Sequence, residues 1–407
     1  MTETVTLADI EAARDRFDDP AIVRQTPIET NRSLSEMSGG DVHLKMEHLQ
    51  RTGSFKTRGA YNKLRQEAEA GSDKHVVAAS AGNHAQGVAL AATTVGLEST
   101  IVMPENAPQA KIDATRSYGA TVELHGATFG EAMSHAQAMA EEPGRLFVHA
   151  YDDPDIVAGQ GTLGLEIYEQ VPDVDTVIVP IGGGGLIGGI STALKALDDS
   201  VRVVGVQAEL ASTVHESLRK GAPVDEESPK TIADGIATGS ISELTLGLIE
   251  AHVDEVVTVS DDDIARAILT VLERAKQLVE GAGAASVAAM LSDRVDVEGE
   301  TVVPLLCGGN IDMSMLQTVL THALTDRNQL LRLRIHIRDQ PGEMGKLSST
   351  IGELGANIRT VRHDRAVGDL AVGDAYLVFQ VVTSGESHAR TVIDAIEDMG
   401  YEVERVN

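Results

Sequence analysis

At 407 residues with 42% apolar side chains, the chain is long enough for two or three domains with true cores, and too apolar for a disordered polymer. Its formal charge of -29, from 62 acidic and 33 basic residues, repels nucleic acid and anionic membrane. No apolar run reaches the roughly 20 residues of a membrane span, and a single cysteine, Cys307, excludes an intrachain disulfide or a thiolate zinc cluster.

Residues 5–18, "VTLADIEAARDRFD", place Leu7, Ile10, Ala13 and Arg14 at helical spacing. This acidic, amphipathic start is unlike a signal or transit peptide, so a cytoplasmic protein is expected. From residue 75 onward, short β-rich runs alternate with helical stretches. The runs are "HVVAAS" (75–80), "ESTIVM" (98–103), "ATVELH" (120–125), "RLFVHA" (145–150), "DTVIVPI" (175–181), "VRVVGVQ" (201–207), "DEVVTV" (254–259) and "TVVPLL" (301–306). Among the intervening helices are "HAQGVALAATTVG" and "DDDIARAILTVLERAKQLV". Such alternation predicts an α/β protein with parallel sheets, whose ligands sit beyond the carboxyl ends of the strands. With no tryptophan and 3% aromatics, the core rests on small and branched aliphatic residues, which suits that architecture.

The pattern changes at residue 331. "LRLRIHIR" alternates strictly, with Leu331, Leu333, Ile335 and Ile337 on one face and Arg332, Arg334, His336 and Arg338 on the other. A helix (346–354), the strands "NIRTVRH" and "AYLVFQVV", a helix "SHARTVIDAIEDMG" and a last strand "YEVERV" complete a βαββαβ order. This predicts a separate ferredoxin-like domain joined near "LTDRNQ".

Three loops at strand ends carry the chemical signals. In "IGGGGLIGG" (181–189), Gly183, Gly185 and Gly188 satisfy GxGxxG, with Glu209 where a ribose-binding acid would fall. A nicotinamide dehydrogenase and plain structural packing are both open readings of this loop. Its general content is a cluster of backbone N–H groups at a helix start, a seat for a phosphate. There is no GxxxxGK[ST], so a nucleotide P-loop is excluded. "SAGNHAQG" (80–87) presents Ser80, Asn83 and His84 at another strand end, and "LLCGGN" (305–310) places Cys307 at a third. An ordinary turn explains the second loop and a small buried thiol the third. Lys56, in "QRTGSFKTRGA", changes this balance. A lysine, a phosphate cradle, an amide and a thiol are the parts of a pyridoxal 5'-phosphate site: the lysine forms the Schiff base, glycine N–H groups hold the phosphate, an amide meets the ring hydroxyl, and a thiol or hydroxyl meets the pyridine nitrogen.

Together, "KMEHLQRTGSFKTRGA", "SAGNHAQGVA", "GGGGLIGG", "TIADGIA" and "CGGN" resemble the fold type II pyridoxal-phosphate enzymes. Within them the likeness is to the threonine ammonia-lyases of the medium form with one C-terminal ACT domain, from about residue 5 to the end. The resemblance implies a tryptophan synthase β-like fold with a large cofactor-binding domain (1–74 and 151–325), a small substrate-side domain (75–150) and an ACT regulatory domain (331–407). It implies that Lys56 is the Schiff-base lysine, that Phe55 packs beside the ring, and that Asn83 contacts the ring hydroxyl. Gly182, Gly183, Gly184, Gly185 and Leu186 would bind the phosphate, Cys307 would face the pyridine nitrogen, and Ser80, Asn83 and His84 would hold the substrate carboxylate. The implied reaction is conversion of L-threonine to 2-oxobutanoate and ammonia, as the first step of isoleucine synthesis. Isoleucine or valine would act at the ACT domain, near "DQPGEMG" and Asn357, with Gly342 and Gly345 shaping the loop, in a homotetramer or homodimer.

Two departures bear on the reaction. Ala81 stands where racemases of this family carry a far-face serine, which points to elimination. Gln207 and Thr213 stand in a stretch where those racemases carry metal-binding carboxylates, so no metal is expected. A serine dehydratase or racemase, and a catabolic threonine dehydratase, are the alternatives within the same chemistry. A non-catalytic sensor would have no use for Lys56. Only 10 of the 33 basic residues are lysine, which together with the acidity predicts adaptation to concentrated salt.

Overall fold

The structure is a computed structural model, and it describes residues 4–226, 230–368 and 370–406. The chain forms two compact units, Met1–Asp312 and Met313–Asn407. Among its described residues the first contains ten strands: β1 (Ile28–Thr30), β2 (Asp41–Lys45), β3 (His75–Ala79), β4 (Ser99–Met103), β5 (Thr121–Leu124), β6 (Arg145–Phe147), β7 (Thr176–Pro180), β8 (Arg202–Ala208), β9 (Glu255–Val259) and β10 (Thr301–Pro304). They make two sheets. One has the order β5-β4-β3-β6 and is wholly parallel; the other has the order β1-β2-β10-β7-β8-β9 and is parallel except for its β1 edge.

All eight strand runs expected in this unit form, and their central members are buried as continuous apolar ladders, such as Val177–Val179 and Val203–Val206. The sequence pattern concealed β1 and β2. The strand β2, "DVHLK", carries an acid, a histidine and a lysine, yet Lys45 is fully buried. Its ammonium donates to Glu166 Oε2 at 2.6 Å, Gln170 Oε1 at 2.9 Å and the Thr26 carbonyl at 2.9 Å.

The same carboxylate anchors the helix that begins at the key lysine. On helix Lys56–Glu69, the Arg58 guanidinium donates to Glu47 Oε1 and Oε2 at 2.8 Å, and to Glu166 Oε1 at 2.6 Å. Arg58 and Glu47 have no exposed side-chain surface, so each charge is stable there only with its partner. Helix Pro154–Gln170 crosses this helix backbone to backbone; a Cβ on Gly159 would lie 2.6 Å from the Gly59 Cα. The two helices are thereby packed directly on one another, which fixes the helix that starts at Lys56.

One helical expectation is corrected. The stretch 261–279 is not a single helix: it is α-helical over Asp261–Thr270 and forms a π turn over Val271–Ala275. It then stops at Lys276, whose φ of 59° is left-handed. The next residues are extended, and they deliver Glu280 to the start of helix Gly281–Leu291.

The second unit opens with helix Met313–Asp326, a segment that the sequence reading had grouped up to residue 325 with the cofactor-binding part. It continues with β11 (Leu330–Arg338), helix Glu343–Glu353, β12 (Asn357–Asp364), β13 (Asp374–Val382), helix Glu386–Asp398 and β14 (Glu402–Arg405). The sheet order β12-β13-β11-β14, antiparallel throughout, is the ferredoxin-like plan. Leu331, Leu333, Ile335 and Ile337 are buried against Leu347, Ile351, Val392 and Ile396 of the two helices, as the alternation required. Gly342 caps its helix with φ 99°, but Gly345 lies inside that helix and not in the loop.

Candidate active site

In the first unit, loops from both sheets enclose a cavity of about 480 Å³. It is lined from the β3 end by Ser80, Asn83 and His84, and from the β7 end by Gly182–Leu186. Cys307 lines it from the β10 end, and Phe55 and Lys56 from the start of their helix. All eleven residues that the resemblance assigns to cofactor and substrate therefore line one cavity. The strands β7 and β10 are neighbours, so their carboxyl-end loops are adjacent without further folding.

Lys56 is the first residue of its helix, held there by the Phe55 N–H donating to the Cys307 carbonyl at 3.2 Å and by an antiparallel bridge between Ser54 and Gly308. Its ammonium donates to the Ala150 carbonyl at 3.2 Å and stands 5.1 Å from the Phe55 ring centre. Burial lowers its pKa to about 8, against the opposing pull of Cys307 and Glu280. Burial together with Glu280 pushes the Cys307 thiol well up, so that it is neutral.

The glycine loop has the geometry of a phosphate seat. Gly184, at φ 86°, turns the chain into helix Gly185–Leu197, whose first residues Gly185 and Leu186 line the cavity with first-turn N–H groups that have no partner within the helix. Its glycines are sterically required: a Cβ on Gly183 would lie 2.1 Å from the Tyr151 ring, and one on Gly184 2.8 Å from Thr245 Cβ. The Thr245 hydroxyl also donates to the Gly183 carbonyl at 2.8 Å, which pins the loop at its centre. This cradle, the amine of Lys56 and the thiol of Cys307 fit a phosphorylated pyridine aldehyde.

The β3 loop is more restricted than the sequence suggested. Ser80 Oγ accepts from the Gly82 N–H at 3.1 Å and has its own proton to give. His84 is buried and donates Nε2–H to the Val148 carbonyl at 3.0 Å; burial lowers its pKa to about 3, so the ring is neutral. Its side chain is committed, and what it offers a carboxylate is its backbone N–H in the first turn of helix Asn83–Val95. Gln207 is likewise committed, donating to the Ala211 carbonyl at 3.2 Å and accepting from the Val214 N–H at 2.9 Å.

Sequence reasoning did not single out Tyr151, Lys111, Asp234, Glu280 or Asn310 individually, although all line the cavity. The quoted "TIADGIA" and "CGGN" contain Asp234 and Asn310. Glu280 had no local signal, because the helix was expected to run to residue 279.

The match to a family model and to named relatives agrees with this geometry. Residues 21–308 match the model described as pyridoxal-phosphate dependent enzyme. The chain belongs to the pyridoxal-phosphate-dependent enzyme family, of fold type II. It is 44% identical over 399 residues to an L-threonine ammonia-lyase of Thermotoga maritima, covering 98% of this chain and 99% of the relative. It is 45% identical to a catabolic L-threonine dehydratase of Staphylococcus aureus, covering 79% of this chain and 93% of the relative. The structure of maize serine racemase superposes with a TM-score of 0.73 at 33% identity, over 80% of this chain and 99% of that one. A nicotinamide reading of the glycine loop is thereby overturned, and Glu209, exposed on a short turn, has no ribose to bind.

Proposed function

We propose that the chain is an L-threonine ammonia-lyase that converts threonine to 2-oxobutanoate and ammonia. The observation that carries this reading is the Lys56 amine, depressed to about 8, in one cavity with a glycine cradle and a loop whose second position is Ala81. When bound, pyridoxal phosphate supplies an aldehyde that captures the substrate amine and an electron sink for the bond to the α-proton. The N–H groups of Gly182–Leu186 hold its phosphate, and Asn83 donates to its ring hydroxyl. Ser80, Asn83 and the His84 N–H orient the substrate carboxylate. Lys56, freed by the substrate, removes the α-proton, and its lowered basicity makes the neutral amine accessible near neutrality. Cys307, a neutral thiol, gives the nitrogen it faces no anionic partner, which favours immediate loss of the β-hydroxyl. Ala81 carries no proton donor to the opposite face, so the α-carbon is not reprotonated there.

The C-terminal βαββαβ unit is read as an ACT domain that binds isoleucine or valine and lowers activity toward threonine in a homo-oligomer. In support, the similarity to the Thermotoga relative extends over 98% of the chain, whereas that to the catabolic relative extends over 79%. The test is release of 2-oxobutanoate and ammonia from L-threonine by the full-length protein, with and without isoleucine. D-serine formed from L-serine with no oxoacid from threonine favours the racemase reading instead. Threonine turnover that ignores isoleucine and valine favours the catabolic one.

A further inference from the structure

Asn83 is anchored from both sides. Its Oδ1 accepts from Asn310 Nδ2 at 2.8 Å, while Asn310 Nδ2 also donates to the Thr52 carbonyl at 2.7 Å. Its Nδ2 donates to Glu280 Oε1 at 2.7 Å. An amide has two N–H donors, so a single one remains to be given to the cavity. Glu280 is 4% exposed, and it also accepts the backbone N–H of Asn310. The chain is built tightly around it: a Cβ on Gly308 would lie 2.2 Å from Glu280 Oε1. The charged and titratable groups that face Glu280 are Lys56, Cys307, Asp234 and Lys111, each from a different element. Lys111 and Asp234 are themselves paired at 3.0 Å.

We propose that Glu280 is a positioning residue of the reaction: as a carboxylate it locks the Asn83 amide so that one N–H faces the cofactor ring, and, packed against Gly308 beside Cys307, its charge adds to the burial that keeps Cys307 a thiol. Protonation discharges the acceptor and adds a donor: the neutral acid holds the Asn83 N–H more weakly and can instead donate to a flipped amide, which undoes the order set by Asn310. The direction of the effect follows from its surroundings. Burial, with Asp234 next, raises this carboxyl to about 7, so the locked form is lost as the pH falls through neutrality. The assay for this role rests on the ammonia-lyase reading; the thiol chemistry does not.

The test compares wild type with Glu280→Gln, Glu280→Ala, Asp234→Asn and Lys111→Gln in the full-length holoenzyme. Glu280→Gln is neutral at every pH and can donate as the protonated acid does, so the acid limb of kcat against pH disappears and kcat stays near the low-pH level of wild type, whereas Glu280→Ala, with no acceptor at all, lowers kcat further across the whole range. Asp234→Asn moves the limb to lower pH and Lys111→Gln to higher pH, each by about half a unit, or roughly threefold in rate on that limb. These last two sites are partly exposed, so they remain informative if a Glu280 variant fails to fold. Independently, Cys307 is the chain's only cysteine, so alkylation by iodoacetamide reads one thiol. Measured on the holoenzyme and after dialysis of the cofactor, alkylation of Glu280→Gln is about 3- to 10-fold faster than wild type, because loss of the neighbouring charge raises the thiolate fraction. An acid limb and an alkylation rate both unchanged in Glu280→Gln overturn the proposal. A wild type that releases no oxoacid from threonine refutes the ammonia-lyase reading alone, and alkylation then still decides the role of Glu280.

Discussion

Replacing Gly183 by alanine tests the cradle directly. The new Cβ would stand 2.1 Å from Tyr151 Cδ1 and 2.3 Å from Cε1 and Cγ. Carbon atoms rest at about 3.5–4.0 Å, so the deficit is roughly 1.5 Å. The neighbour is an aromatic ring beside backbone, and relief requires the ring or the loop to move by about that distance. Overpacking of this kind costs about 1–3 kcal/mol, which predicts cofactor affinity weaker by roughly 5- to 150-fold. Misplacement of a bound group by about 1 Å is worth about 100-fold in rate, so turnover falls by at least that factor at saturating cofactor. Affinity is read by titrating pyridoxal phosphate into cofactor-free protein and following its visible absorbance. The double variant Gly183→Ala/Tyr151→Ala removes all three clashing atoms, and affinity returns toward that of Tyr151→Ala alone. Wild-type affinity in Gly183→Ala, or a double variant no better than the single, refutes the steric argument.

Lys56→Ala eliminates turnover and the visible band of the cofactor–lysine linkage while the far-UV dichroism is unchanged; residual turnover at the wild-type rate would remove Lys56 from the centre of the reaction. L-Serine gives pyruvate without D-serine, since Ala81 has no proton to deliver, and Ala81→Ser raises whatever D-serine is formed; chiral chromatography decides. Given the charge of -29, the melting temperature rises between dilute buffer and about molar potassium chloride, where the Debye length shrinks to about 3 Å. A steady fall over that range contradicts adaptation to salt.

The parallel strands and the chemical loops were legible in the sequence because both are local signals. Branched aliphatic runs such as "TVIVP" suit a buried ladder, and four consecutive glycines at 182–185 or a lysine in "GSFK" stand out in the local sequence. The alternation from Leu331 to Arg338 specified a half-buried strand in the same way, since its period is a property of the backbone. Other features depend on partners far away in the chain. Lys45 and Arg58 carry charges that no local pattern marks for burial, and only Glu47 and Glu166 make it tolerable. The apolar periodicity of 261–279 gave no sign that the helix would end at a π turn, yet that break carries Glu280 to Asn83, 197 residues away in sequence. His84 was visible as a candidate, but the Val148 carbonyl determines what it can donate. Backbone propensity and loop chemistry are written residue by residue, whereas the protonation and orientation of a buried group depend on the dielectric and the hydrogen bonds that folding assembles around it.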